Sequence, residues 1–133
     1  LLLVGDGVEK ANLMALAENY KIKNKVVFAG LRKDVQRMYH VMDVFTMTSF
    51  SESSSIVTVE AQASGLRCVV ASSIPENVIV TDDNVSTLSL DNPIQDWVDA
   101  LKGDYPRRKK VSDMSLFSID RTIIELKEVY FHL

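Results

Sequence analysis

Apolar and polar positions come in blocks along this chain, and the period changes from block to block. Leu1 to Val4 is an apolar run closed by Gly5-Asp6-Gly7. This is the pattern of a buried parallel strand and a tight turn. From Val8 to Tyr20 the apolar residues at 13, 14, 16, 17 and 20 follow a helical period. Lys25 to Ala29 reads as a second strand ended by Gly30. Asp34 to Met42 reads as a helix with Val35, Met38, Tyr39 and Met42 on one face. Asp43 to Thr48 is a third strand, with Val44 to Met47 as its apolar run. A serine-rich turn follows, then a helix from about Ile56. Arg67 to Ala71 and Val85 to Leu90 are the fourth and fifth strands. Ile94 to Leu101 is a helix with Trp97, Val98 and Leu101 facing in. Ile119 to Leu133 is a last helix, carrying Ile123, Ile124, Leu126, Tyr130 and Phe131.

Strands alternating with helices predict an α/β fold, a Rossmann-like parallel sheet flanked by helices. Right-handed crossovers align the loops that follow the strands along one edge, where ligands of such sheets bind. Gly5-Asp6-Gly7, Gly30-Leu31-Arg32, Ser49 to Ser55 and Ser72 to Glu76 all fall there. At 133 residues the chain is at most one domain, with no internal repeat and no low-complexity linker.

Composition narrows the function classes. Apolar residues make up 47% of the chain and charged ones 25%, enough for a real core. The net charge of −3 gives no support for nucleic-acid binding. Cys68 is the single cysteine, so no internal disulfide forms; its place in the run Cys68-Val69-Val70-Ala71 predicts a buried core thiol in a reducing, cytoplasmic setting. No apolar run approaches the 18 or so residues of a membrane span. The chain begins at Leu1, inside an apolar run and without Met, which reads as a piece of a longer protein. No metal site is expected, because His40 and His132 stand alone and no Asp-x-Asp occurs. No cofactor is expected either.

The stretch with most chemistry is Ser49 to Gly65, a strand–loop–helix with Glu52 in the loop and Glu60 one turn inside the helix. The first turn of a helix has amides without intrahelical partners and partial positive charge, so a diphosphate can dock there. Ser53, Ser54 and Ser55 are small enough to let a ligand approach the backbone, and their hydroxyls suit capping or donation. Side chains lean toward the helix N-terminus, which brings Glu60 back toward the same end. A carboxylate accepts from two neighbouring hydroxyls of a sugar at once. Ordinary capping chemistry also explains serines and a glutamate at a helix start.

Two glutamates separated by seven residues, then Ala61-Gln62-Ala63-Ser64-Gly65, resemble the Glu-x7-Glu motif of retaining nucleotide-sugar-dependent glycosyltransferases of the GT-B fold, the group 1 or family 4 type. Ser53 stands at that motif's usual Gly and Ser55 at its Pro. Gln62 with Cys68 is similar to the capsular and exopolysaccharide branch. Gly5-Asp6-Gly7 resembles the family's Val-Gly-Asp-Gly turn, Gly30 to Val35 its Gly-x-Arg-x-Asp-Val, and Ser73-Ile74-Pro75-Glu76 its Gly-Gly-Ile-Pro-Glu. The resemblance runs from the first turn to the last helix.

It implies the C-terminal, donor-binding domain, residues 1–133, of an enzyme moving a sugar, as a hexosyltransferase, from a nucleotide diphosphate, UDP foremost. The acceptor is a polysaccharide or lipid-linked glycan, transfer is with retention, and no metal takes part. By that resemblance Glu52 is the catalytic residue and holds hydroxyls of the donor sugar, and Glu60 holds the ribose. The backbone amides from Ser54 to Val57, those of Ser55 and Ile56 between them, take the diphosphate, and Ser53 is also among the substrate-binding residues. Gly5 walls the nucleotide crevice, and the backbone of Leu31 and Arg32 meets the base. A basic Arg–Lys pair and an acceptor domain would precede Leu1, so this piece alone is expected to be inactive. The full-length enzyme would be cytoplasmic, at the inner face of the membrane if it touches one peripherally.

The residues also admit plainer roles. Gly5-Asp6-Gly7 is a simple turn and Asp34 suits a helix cap, leaving Arg32 as a solvated charge. Pro75 reads as helix initiation. Tyr105 to Lys110 is a basic run that reads as a solvated helix start, with a membrane or partner contact as the other option. A non-enzymatic nucleotide- or protein-binding α/β module is the alternative function. A receiver lacks its acidic cluster here, Asp6 standing alone, and a flavin module has only Phe50 as a flanking aromatic.

Overall fold

Strands and helices alternate as the pattern predicts, in a computed structural model that describes residues 1–80, 84–102 and 120. The chain divides into two units, Leu1–Met42 and Asp43–Leu133. Among the described residues every strand pairing is parallel, and helices flank the strands. This is the Rossmann-like α/β class. The helix read at Ile119 to Leu133 and the basic run Tyr105 to Lys110 lie outside the described residues.

In the first unit β1 (Leu2–Val4) pairs with β2 (Val27–Gly30), Leu2 opposite Val27 and Leu3 opposite Phe28. The second strand starts two residues later than expected, because Lys23–Lys25 forms a short 3-10 turn. Between the strands runs α1 (Lys10–Asn19). Of the apolar positions that follow its helical period Ala17 is buried, whereas Leu13, Met14, Leu16 and Tyr20 are exposed. Two short strands offer too little apolar surface to cover a whole helical stripe. The helix ends without glycine: Lys21 takes φ 56°, and its N–H reaches Glu18 O at 2.9 Å while Ile22 N–H reaches Ala17 O at 2.9 Å. These are the paired bonds of a Schellman cap. A five-residue helix, α2 (Val35–Tyr39), follows β2 and buries Tyr39.

In the second unit β3 (Val44–Met47), β4 (Arg67–Ala71) and β5 (Val85–Leu88) form a sheet with β4 in the centre. Phe45 lies opposite Cys68 and Val69 opposite Ser86. A central strand covered on both faces should be apolar throughout, and Cys68, Val69, Val70 and Ala71 are all fully buried. Burial pushes the Cys68 thiol up to about 12, so it is the inert core group expected. Helix α3 (Ile56–Ala63) packs on β3 and β4, and α4 (Ile94–Leu101) on β4 and β5. Val69 and Ala71 meet Trp97 of α4, with Val44, Leu88 and Ala100 around them. The indole Nε1–H donates to Ser89 O at 3.3 Å. Leu101, expected inside, is exposed at the last turn of α4.

Helix α3 ends on Gly65 at φ 76°, whose N–H reaches Gln62 O at 2.8 Å while Leu66 N–H reaches Ala61 O at 3.1 Å. The chain reverses there and delivers Leu66, fully buried, into β4. Glycine is needed because the left-handed conformation costs any residue with a Cβ.

Candidate functional site

Strand β3 ends at Met47, and the loop from Thr48 to Ser55 carries the chain into α3. Glu52 sits half-buried in that loop. Its Oε1 accepts from the Ser49 hydroxyl at 2.8 Å. The Ser49 carbonyl in turn accepts from the Ser73 hydroxyl, which belongs to the loop after β4. Two loops at the carboxyl ends of neighbouring strands are thereby joined beside the carboxylate. Both serines lie in loops that the sequence places on the ligand edge, though it assigns neither a role of its own there. The Ser-x-x-Glu spacing of Ser49 and Glu52 is a signal that normally marks a helix start, and here it serves a loop.

Ser53 and Ser54 are exposed at the approach to α3. Lys21 is the one non-glycine residue with positive φ among the described residues, so Ser53 fits its place without left-handed backbone. Ser55 differs from the expectation. It stands at the helix cap position, yet its side chain caps no backbone amide. Its hydroxyl is buried and pairs with the buried Thr58 hydroxyl at 2.8 Å. A hydroxyl committed inside the unit is not on offer to a ligand, so what Ser55 presents is backbone. The intrahelical ladder opens with Thr58 N–H on Ser55 O at 3.0 Å. Ile56 and Val57 precede it, their side chains exposed, in the turn where partial positive charge gathers. Glu60, half-buried, is the fifth residue of the helix.

Gln62 anchors this helix. It is fully buried, its Nε2 donates to Thr58 O at 3.1 Å and Val78 O at 2.8 Å, and its Oε1 accepts from Val80 N–H at 2.8 Å. The second segment is the one after β4, where Pro75 stands just ahead of a 3-10 turn, Glu76–Val78, rather than at the first position of a longer helix. Ile74 and Val78 are buried under it.

Gly5, Leu31 and Arg32 belong to the first unit. Gly5, at φ 133°, donates its N–H to Gly30 O at 2.9 Å and lines a cavity of about 280 Å³ with Val4, Asp6, Lys10 and Phe28. Asp6 closes the glycine turn. Its carboxylate accepts from Gly7 N–H and from Lys10 Nζ, each at 2.9 Å. The Lys10 bond, then the Gly7 amide, hold Asp6 below its ordinary pKa. Gly30 takes φ 66° to turn the chain into Leu31, which is exposed. Asp34 is at the cap position of α2 but caps nothing. Its two carboxylate oxygens take Arg32 Nε and Nη2, each at 2.8 Å. Arg32 is therefore paired rather than a lone solvated charge, and the fork holds the loop that exposes Leu31. The Arg32 bond lowers the Asp34 pKa, and Asp34 raises that of Arg32. Among the described residues no three His, Cys, Asp or Glu side chains gather as a metal would require, and His40 rests its Nδ1 on Gln36 O at 2.7 Å.

A family model described as glycosyl transferases group 1 matches residues 1–103. EpsF of Bacillus subtilis (strain 168), described as a glycosyltransferase, is 36% identical over 101 residues, which is 76% of this chain and 26% of that protein. A D-inositol 3-phosphate glycosyltransferase of Mycobacterium sp. (strain KMS) is 35% identical over 115 residues, 80% of this chain and 26% of its own length. The chain thus spans about a quarter of these relatives. Among solved structures, WaaG, a glycosyltransferase involved in lipopolysaccharide biosynthesis, superposes with a TM-score of 0.68 at 22% identity, over 76% of this chain and 27% of that one. The lipopolysaccharide outer core galactosyltransferase WaaB gives 0.67 at 19%, over 76% and 30%. These likenesses identify the fold.

Proposed function

This chain belongs to the glycosyl transferases group 1 family, and from that premise we propose that it is the donor-binding, C-terminal domain of such an enzyme. One observation carries the reading: the loop that presents Glu52 runs directly into the N-terminus of α3, with Glu60 one turn further on. Backbone amides from Ser54 to Val57 would receive the diphosphate of a nucleotide sugar, UDP-linked in the first instance. As the bond to the sugar breaks, negative charge builds on the leaving diphosphate, and a fixed helix terminus stabilises that charge without reorganising. Glu52 would hold hydroxyls of the donor sugar and act as the catalytic residue, and Glu60 would hold the ribose. For Gly5, Leu31 and Arg32 the proposed roles, a crevice wall and base contacts through the backbone, rest on their motifs.

Transfer would be of a hexose, with retention and without a metal, the sequence having no Asp-x-Asp. The acceptor would be a polysaccharide or a lipid-linked glycan, built at the cytoplasmic side of a membrane. The exopolysaccharide or capsular branch is supported by Gln62 and Cys68. The acceptor-binding half would come from the rest of the polypeptide, and the chain by itself would not turn over.

The test uses the complete polypeptide that carries this chain, incubated with UDP-hexose and acceptor with and without a chelator. The reading expects a product of retained anomeric configuration, insensitive to the chelator and lost in Glu52→Gln. An inverted product, or full activity in Glu52→Gln, would overturn it.

A further inference from the structure

The Ser73 side chain ties the loop after β4 to the loop holding Glu52, acting through Ser49. The Ser73 hydroxyl donates to the Ser49 carbonyl, and the Ser49 hydroxyl donates to Glu52 Oε1 at 2.8 Å. Both serines and Glu52 are half-buried, so water competes less for these bonds than at an open surface. We propose that Ser73 is a positioning residue for Glu52: it fixes the Ser49 backbone so that the Ser49 hydroxyl holds one carboxylate oxygen and leaves the other turned to the donor sugar.

The chemistry favours this arrangement. A carboxylate has two oxygens and about four acceptor sites, but no donor. With Oε1 held by a hydroxyl, the carboxylate plane is set and Oε2 can accept from sugar hydroxyls without first losing rotational freedom. Ser73 does more than a backbone-only residue could at its position. The strands beneath are rigid: β3 and β4 pair in register from Val44–Arg67 to Met47–Val70, and the first residues beyond them carry the link. Ser72 N–H is also fixed, on Leu88 O at 2.8 Å, and Ile74 N–H on Ala71 O at 3.0 Å. The anchor on the β4 side is therefore stiff on both sides of Ser73, and movement at the junction is left to the Glu52 loop.

This inference rests on the donor-site reading for its consequence, and the experiment separates the two. In the full 133-residue chain, the side-chain carboxyl carbon of Glu52 and the carbonyl carbon of Ser49 are followed by NMR in the wild type, Ser73→Ala, Ser73→Thr and Ser49→Ala, with the Trp97 indole resonance as the check on the fold. The proposal expects Ser73→Ala to move both carbons, the Glu52 carboxyl in the same direction as Ser49→Ala does, and expects Ser73→Thr to restore them. A Glu52 carboxyl unmoved by Ser73→Ala, while the Ser49 carbonyl shifts, overturns it. UDP-hexose and UDP are then titrated. Loss of one hydrogen bond's worth of order predicts that Ser73→Ala weakens UDP-hexose roughly 3- to 10-fold and leaves UDP unchanged. Equal weakening of both ligands contradicts a role at the sugar. A complete wild-type polypeptide that binds neither ligand overturns the donor-site reading, and the carboxyl resonances still decide whether Ser73 positions Glu52.

Discussion

Gln62 is the side chain that holds α3 to the segment from Val78 to Val80 by two hydrogen bonds, with a third to Thr58 O within the helix. It is fully buried, so replacing it with an apolar residue strands Val80 N–H and Val78 O without partners. A stranded buried group costs about 1–3 kcal/mol. Gln62→Leu is expected to lose stability in that range or slightly above, read from the urea midpoint; a loss below about 0.5 kcal/mol, the scale of an ordinary surface change, would deny the anchoring role. Nearer the surface, Asp34 and Arg32 form a fork. The Arg32 bond depresses the Asp34 pKa below its ordinary 3.8, so the stability it contributes is fully present above that value and lost as pH falls through the lower folded value. Arg32→Ala is expected to return the Asp34 carboxyl titration, followed by NMR, toward the ordinary value, while an unchanged titration would contradict the pairing. Sequence alone suggested Asp34 as a cap. Spacing shows where a carboxylate sits but not which of two nearby donors it prefers.

At the scale of elements, what ends a helix decides where the next strand begins. Helix α3 stops on Gly65, as the sequence indicated, because only glycine takes φ 76° without a Cβ penalty. Helix α1 makes the same pair of capping bonds with Lys21 at φ 56°. Lys21→Gly should therefore relieve the left-handed conformation and raise the thermal midpoint, whereas Gly65→Ala should cost about 1–2 kcal/mol. Opposite signs from the two substitutions, measured by thermal denaturation, are the expectation; the same sign would remove the account. The helical period ended α1 at Tyr20, its cap residue, although Lys21 carries no glycine signal. Leu13, Met14 and Leu16 follow a helical period, but the period says that a stripe exists and not that two short strands can cover it. The strand β4 was plain because it is apolar from Cys68 to Ala71 and central. The serine-rich loop was plain as a loop, while the Ser73–Ser49–Glu52 link joins residues 24 apart in the chain, which no local pattern encodes.

At the scale of the whole molecule, the parallel strands, the flanking helices and the family match over residues 1–103 give the fold and the family. The donor-binding role lies one step further and depends on the N-terminus of α3. Its most direct test is a titration of this chain with UDP, followed by amide NMR in the wild type and in Glu60→Ala. The account predicts shifts concentrated from Ser53 to Glu60, with weaker binding in Glu60→Ala. Shifts scattered over the chain, or none in this stretch when the complete polypeptide is titrated, would contradict a nucleotide-diphosphate site at that helix.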